Sequence, residues 1–486
     1  MLANIFNSAV LLYMLHLSLS HKVLLKKKHN SSNLHASSTS TFKIAKPSKT
    51  QARWLDFEVG ASIHFNMQTF NKYMKRGDVV PPNTFNPRNL STDQWVKAAS
   101  SFGAKYIVLT LDHFSGFLLW SSETYNYSVK STKWREGRGD IASDFIKSCQ
   151  KMNVEYGFFY SVKKNWFMNV EDFKTKSPKK QKTYNRIVLQ QLKELFQNSS
   201  KYSDPFYIWF DAGTEPKVNP SIGPLIRSLA KDSICDECKS FAGNQGVRWV
   251  GNENALAPLP NWYAVQTGKC DVTPGDPLGE VFCPASCDTV IREHYWFWHK
   301  DTEYKVKTPQ RLIQEYLTSV GRGCNLILNL NPDTRGLVPD IDLKVYRIFG
   351  QGIQLLYKSP VVKITAPLLK IGNNYTVNSD PLEVINGSLV MMENVIDYGQ
   401  LVEEYLVYYS TVENKTVKEK GSSIGHKRIH PFPKELYGLT LKEVKINIKK
   451  LVSGGAMVEL RRIRIYDWSE AKKEGYLDDE KEFLTN

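Results

Sequence analysis

Between about residue 55 and residue 350, short apolar runs alternate with longer stretches in which apolar residues recur at i, i+3 and i+4. The runs 60–65, 106–111, 156–160, 206–210, 248–250 and 326–330 are nearly continuous in apolar character. Continuous runs of this length predict strands buried on both faces. The periodic stretches predict helices over 92–102, 141–152, 183–197 and 309–320. Ser91 and Thr308 stand where a hydroxyl can cap the first free N–H groups, and Pro309 occupies a first-turn position that needs no N–H. Strand and helix alternating over this length predict a (β/α)8-type barrel, whose chemistry belongs at the carboxyl ends of the strands.

Beyond about residue 360 the period changes. Segments 361–366, 375–378, 388–394, 403–409, 441–448 and 457–466 are separated by turn residues with no long helix between them. Such segments predict an antiparallel β-sandwich. The expected fold is therefore α/β, with a (β/α)8-like barrel domain over 51–355 and a C-terminal antiparallel β-sandwich over 356–486. The first 50 residues differ from both. The apolar stretch from Ala9 to Leu19 continues to Ser20, so that Ser18 and Ser20 put small residues where a signal peptidase reads. A cleaved signal peptide is expected over 1–20. Residues 21–50, rich in Lys, Ser and Asn, are expected to form a flexible basic leader. No later stretch reaches the roughly 18 uninterrupted apolar residues of a spanning helix, so no membrane span is expected.

Composition sharpens this in three places. A chain of 486 residues that is 42% hydrophobic can bury a large core and is not a disordered or fibrous sequence. Its net charge of +15 invites a nucleic-acid partner. Seven lysines and no acid lie within residues 1–50, however, and the +8 that remains is scattered rather than clustered among aromatics. No nucleic-acid partner is expected. The seven cysteines include Cys235 and Cys238, and Cys283 and Cys287, at spacings that admit zinc, but no histidine stands beside them at finger spacing. Disulfides formed in an oxidising compartment are the better reading, with Cys149, inside an amphipathic helix, left unpaired. Seven Asn-x-Ser/Thr sequons, at Asn30, Asn89, Asn126, Asn198, Asn374, Asn386 and Asn414, point the same way. The chain is expected in the secretory pathway, secreted or lysosomal.

Candidate chemistry lies at strand ends. His64 lies near the end of the first strand, Asp112 and His113 follow the second, Tyr160 closes the third, Asp211 follows the fourth, and Asn252 and Glu253 follow Arg248-Trp249-Val250. With Trp120, Trp166, Trp209, Trp249, Trp262, Trp296 and Trp298 these describe a pocket with two carboxylates and aromatic faces, although Trp209 and Trp249, mid-strand, read as core. Two carboxylates on neighbouring strands are what glycoside cleavage requires. One is ionised to attack or stabilise the oxocarbenium-like centre, and the other holds a proton for the leaving oxygen.

Several longer motifs then become specific. Phe85-Asn-Pro-Arg-Asn-Leu-Ser-Thr-Asp-Gln-Trp95, His113-Phe-Ser-Gly-Phe-Leu-Leu-Trp-Ser121, Trp209-Phe-Asp211, Arg248-Trp-Val-Gly-Asn-Glu253, Trp296-Phe-Trp-His299 and Asn329-Leu-Asn-Pro332 occur in that order. Over about residues 53–355 the chain resembles α-L-fucosidases of glycoside hydrolase family 29, and its Arg-Trp-Val-Gly-Asn-Glu and Trp-Phe-Trp-His segments resemble the subgroup preferring α-1,3 and α-1,4 linkages. The resemblance implies a retaining exo-α-L-fucosidase acting on fucosylated glycans through a covalent fucosyl-enzyme. It makes Asp211 the nucleophile and Glu253 the general acid/base, with His64, His113, Tyr160 and Trp296 binding the sugar. No metal or organic cofactor is implied. Two departures stand out: Phe114 replaces a second fucose-binding histidine of many relatives, and Ala212 replaces the glycine usual after the nucleophile. The alternative is a lectin-like protein that keeps the fucose pocket without turnover.

Overall fold

Eight short strands close into a parallel barrel, each paired with its neighbours in sequence and the last with the first. They are β1 (Val59–Ile63), β2 (Tyr106–Thr110), β3 (Glu155–Tyr160), β4 (Tyr207–Phe210), β5 (Ile234–Asp236), β6 (Gly246–Trp249), β7 (Ala285–Val290) and β8 (Asn325–Leu330). The computed structural model describes residues 43–238, 245–271, 273–384, 386–452 and 455–477. The expected signal peptide, and the leader before residue 43, lie outside the described residues.

Alternation along each strand divides its side chains between two cores. Ile107, Leu109, Phe158, Ile208, Phe210, Leu326 and Leu328 meet the surrounding helices. Tyr106, Val108, Phe159, Tyr207, Trp209, Val247 and Ile327 form the inner cluster. The Tyr106 and Tyr207 rings stack with centroids 5.2 Å apart. A Cβ on Gly60 would stand 2.2 Å from the Tyr106 ring, so the ring fits only because β1 carries glycine there. Strands β5 and β7 are additions to the sequence reading. Their segments Ile-Cys-Asp and Ala-Ser-Cys-Asp-Thr-Val are too polar to read as barrel strands until their partners are known. Tyr207 Oη and Ser286 Oγ both donate to Asp236 Oδ2, at 2.6 and 2.8 Å, and Trp249 Nε1 donates to Asp288 Oδ1 at 2.7 Å.

The helices of eight or more residues are α1 (Lys49–Phe57), α2 (Thr92–Ser101), α3 (Ile141–Lys151), α4 (Pro178–Phe196), α5 (Ile222–Leu229), α6 (Pro309–Ser319) and α7 (Asp340–Leu356). Ser91 and Thr308 cap α2 and α6 through their side-chain oxygens. Helix α4 begins earlier than its apolar period suggests, because Ser177 caps it and Pro178 opens it. Helix α1 corrects the extent of the expected leader: Ser48 and Gln51 form a reciprocal capping box, so Lys49 and Thr50 are already helical. Its Trp54 carbonyl accepts from Asn325 Nδ2 at 2.7 Å, and Gln51 Nε2 donates to the Gly246 carbonyl at 2.7 Å. Both partners begin barrel strands, so α1 covers the amino-terminal mouth and the chemistry is left to the other.

Two antiparallel sheets follow. One orders the strands Asn374–Val384, Leu439–Leu451, Val402–Thr411 and Thr416–Gly421. The other orders Pro360–Thr365, Met457–Asp467, Gly387–Glu393 and Arg428–Pro431, with Leu368–Lys370 also paired to the long strand. Val407, Tyr409, Val444, Ile446, Met391 and Ile463 share the core. Trp468 Nε1 ties the second sheet to the barrel by donating to the last residue of α7, the Leu356 carbonyl, at 3.0 Å. Six cysteines form the disulfides Cys235–Cys238, Cys270–Cys283 and Cys287–Cys324, so neither close-spaced zinc candidate survives as four free thiols. Cys149 is free and buried. Among the described residues no helix is long and apolar enough to cross a membrane.

Candidate active site

His64 directly follows β1 and is fully packed. Its Nδ1 lies 2.7 Å from Asn329 Oδ1, which also accepts from Ser62 Oγ at 3.0 Å. A carbonyl oxygen only accepts, so the His64 proton sits on Nδ1 and Nε2 is left as an acceptor. Burial, partly offset by the Asn329 bond, lowers its pKa to about 4, so the ring is neutral near pH 7. His113 has the complementary arrangement. Gln68 Nε2 donates to its Nδ1 at 2.9 Å, which puts the His113 proton on Nε2. Burial, then the His64 and Lys164 charges, hold this ring well below the usual histidine range. The two rings meet edge to face with centroids 5.7 Å apart. The carboxyl mouth of the barrel thus carries one neutral acceptor and one neutral donor side by side, a pair suited to sugar hydroxyls.

Asp211 follows β4 and is half-buried at the same mouth. Its pKa is raised to about 6 by burial, against which the Ser161 hydrogen bond and the Lys163 and Lys164 charges act, while Glu253 adds to the rise. Ser161 Oγ donates to Asp211 Oδ2 at 3.2 Å. The lysines belong to the loop after β3. Lys164 lies 2.9 Å from Glu171 and its Nζ sits 4.7 Å over the Phe114 ring. A third carboxylate is present that the sequence did not suggest. Glu237, directly after β5 and enclosed by the Cys235–Cys238 disulfide, accepts from Trp209 Nε1 at 3.0 Å and from the Ala212 N–H at 2.9 Å. Burial and then the Asp236 charge raise its pKa to about 8, so it is largely protonated at neutral pH. Ala212 has φ of +55°, a left-handed conformation that costs a non-glycine residue on the order of 1 kcal/mol.

Glu253 stands exposed on the turn after β6. Asn252 shapes that turn, accepting from the Asn254 N–H at 3.0 Å and donating to the Leu256 carbonyl at 2.6 Å. Trp296 Nε1 donates to Glu253 Oε2 at 3.2 Å, and the same indole lies 4.7 Å from the His64 ring. Asn329 Nδ2 donates to the Trp296 carbonyl at 2.9 Å, so a single amide orients both His64 and Trp296. The motif containing Asn329 was visible in the sequence; its bridging role was not.

Tyr160 is not brought to the mouth. Alternation turns it outward with Phe158, and its hydroxyl donates to Gln191 on α4. Its contribution to the site is its carbonyl, which accepts the Asp211 N–H at 3.2 Å. Phe159 faces inward in its place, stacked on His113 at 5.7 Å and edge to face with His64 at 5.4 Å. Phe297 closes the other side at 5.0 and 5.4 Å from the same rings. Trp120 lies in the outer layer, bonded to Glu194 at 3.1 Å, and the Trp262 carbonyl accepts from buried Arg248 at 2.6 Å; neither belongs to the pocket. Trp209 and Trp249 act as inner-core residues whose N–H groups hold Glu237 and Asp288. Asp112 is fully buried, which pushes its carboxyl well above the ordinary range. Among the described residues no group of three or more His, Cys, Asp or Glu is arranged to hold a metal ion.

The family model described as Alpha-L-fucosidase matches residues 34–354. Alpha-L-fucosidase 1 of Arabidopsis thaliana is 31% identical over 319 residues, covering 63% of this chain; the chain spans 60% of that protein's length. A crystal structure from Bacteroides thetaiotaomicron, assigned to the α-L-fucosidases, superposes with a TM-score of 0.75 at 27% identity, covering 87% of this chain and 100% of the other. A Ruminococcus gnavus GH29 fucosidase solved with fucose shares the fold, with a TM-score of 0.73 at 21% identity over 91% of this chain and 98% of the other.

Proposed function

Because this chain belongs to the alpha-L-fucosidase family, we propose that it is a retaining exo-α-L-fucosidase releasing terminal fucose from α-1,3- and α-1,4-fucosylated glycans in the secretory pathway. The observation that carries this reading is the convergence of Asp211, the Glu253–Trp296 pair and the two neutral histidines at one barrel mouth. Asp211 attacks the anomeric carbon and expels the aglycone oxygen, which takes the Glu253 proton; Glu253 then removes a proton from the water that cleaves the fucosyl ester. His64 Nε2 accepts from one fucose hydroxyl and His113 Nε2 donates to another. Both stay neutral through the cycle, so they orient the ring without competing for the proton. The lysines after β3 favour the ionised form of Asp211, which a nucleophile needs.

The test is hydrolysis of an aryl α-L-fucoside with the first-formed sugar observed by NMR. Wild-type protein should release the α-anomer, and Asp211→Ala should lose activity by on the order of a thousandfold or more. Initial release of the β-anomer would refute retention, and an active Asp211→Ala protein would refute the nucleophile. Cleavage in a panel of α-1,2, α-1,3, α-1,4 and α-1,6 fucosyl oligosaccharides tests the linkage; preference for the 1,2 or 1,6 members would overturn that part.

A further inference from the structure

Positive charge beyond residue 50 is spread along the chain with one dense exception. From Phe173 to Lys193 stand seven Lys or Arg and no Asp or Glu. Most of this stretch is α4, whose buried face carries Tyr184, Val188, Leu192 and Leu195. The helical period puts Lys179, Lys182, Arg186 and Lys193 within one narrow arc on the opposite face, and all four are exposed. They form a straight stripe about 21 Å long. Local energetics oppose it. Lys179 and Lys180 stand in a first turn that holds no acid, against the positive end of the helix dipole. Lys179 and Lys182, and Lys182 and Arg186, are like charges at i, i+3 and i, i+4. Among the described residues none of the seven cations lies in an ion pair. The neighbouring acids are committed elsewhere: Glu171 lies 2.9 Å from Lys164, and Glu194 accepts from Trp120 Nε1 and Ser122 Oγ at 3.1 and 2.7 Å.

We propose that this stripe is a docking surface for a linear polyanionic polysaccharide, one that carries sulfate or carboxylate groups along its length. The inference is independent of fucose cleavage, because the stripe lies on the side of α4 opposite the face packed on the barrel. A row of uncompensated cations is complementary to a chain of repeated anions, and binding releases the counterions that screen both. Runs this rich in Lys and Arg are the sequence mark of polyanion patches. Between the cations the exposed face offers Thr183 and Gln190, and the aromatic ring of this segment, Tyr184, is buried. Single-stranded nucleic acid would therefore find no ring on which to stack its bases. An anionic membrane would find none of the apolar side chains that an interfacial helix inserts. A polysaccharide needs only the charges and the polar groups between them.

The experiment uses the full chain and measures binding of a fluorescent heparin fragment and a fluorescent oligogalacturonate as NaCl is raised from about 0.1 M. Lys179→Gln/Lys182→Gln/Arg186→Gln removes the stripe while keeping good helix formers. Lys363→Gln/Lys370→Gln/Lys449→Gln removes three exposed cations of the sandwich and controls for net charge. Wild-type protein should bind at least one probe. The stripe variant should bind it on the order of tenfold to a hundredfold more weakly, with the slope of log Kd against log salt shallower by about three. Lys182→Gln alone should lower that slope by about one, and the sandwich variant should stay within about threefold of wild type. Urea melts that match wild type show that each variant is folded. Equal weakening in the stripe and sandwich variants, no weakening in the stripe variant, or no wild-type binding to either probe would overturn the proposal. Duplex DNA or phosphatidylserine vesicles bound as tightly through the same three residues would overturn the choice of partner. None of these readouts depends on fucoside hydrolysis.

Discussion

Glu237 Oε2 accepts the backbone N–H of Ala212 at 2.9 Å, so the residue immediately after Asp211 is held by a carboxyl group from the neighbouring strand. The bond secures a left-handed alanine where the chain leaves β4, and with it the direction in which Asp211 points. Because burial keeps Glu237 largely protonated at neutral pH, glutamine closely reproduces its shape and its acceptor. Glu237→Gln should therefore keep near-wild-type kcat, whereas Glu237→Ala should lower it by about tenfold to a hundredfold and cost about 1–3 kcal/mol of stability. Aryl fucoside kinetics and urea melts check both. A glutamine variant as impaired as the alanine one would show that the carboxyl acts otherwise than as a positioning acceptor.

The acid limb of kcat/KM should report Asp211. If Asp211 is the proposed nucleophile, the attacking form is its carboxylate, so with a pKa of about 6 activity should rise as pH increases through that value. Lys163 lowers that pKa by its charge. Lys163→Met removes a stabilising cation, so the limb should move to higher pH with little change at the plateau. An unmoved limb would exclude Lys163 from setting the nucleophile's ionisation.

A general acid matters most when the leaving group is poor. Glu253→Gln should depress hydrolysis of a fucosyl oligosaccharide far more than that of an aryl fucoside bearing a nitrophenolate leaving group. Trp296→Phe, which removes the indole donor 3.2 Å from Glu253, should show the same bias more weakly. The ratio of kcat/KM for the two substrates is the measurement, and a ratio unchanged in Glu253→Gln would dismiss it as the acid.

Buried carboxyls, Glu237 and Asp288 among them, also set a pH dependence of stability. Burial raises Glu237 to about 8 and Asp288 to about 7, above the ordinary carboxylate values of roughly 4 that apply in the unfolded chain. Across that window the folded protein binds more protons than the unfolded one, so stability is full at low pH and is lost as pH rises. Below about pH 6.5 the buried neutral histidines His64 and His113 work in the opposite sense, since the unfolded chain protonates first. Above it only the carboxyl slope remains. The melting temperature should fall from about pH 6.5 to about pH 8.5, and Asp288→Asn should flatten the decline. A rise over that interval would contradict the assignment.

Strand continuity, helix period and the Ser91 and Thr308 caps are local properties, and they made most of the barrel, its helices and the sandwich legible in the amino-acid sequence. The same local reading located His64, His113, Asp211 and Glu253 at strand ends, because in a parallel barrel chain order itself assigns those ends to one mouth. It missed β5 and β7, since Asp236, Ser286 and Asp288 look like loop residues until Tyr207 and Trp249 are folded against them. It placed Tyr160 in the pocket because strand-end position does not say which face a side chain takes; register turned Tyr160 outward and Phe159 in. Glu237, Asn329 and Gln68 gained their roles only through partners far along the chain, apart from the local sequence period. Residue type and order therefore determined the fold class and the placing of the candidate residues at strand ends. Long-range hydrogen bonding and burial decided which way each group points, where its proton resides, and whether it is charged.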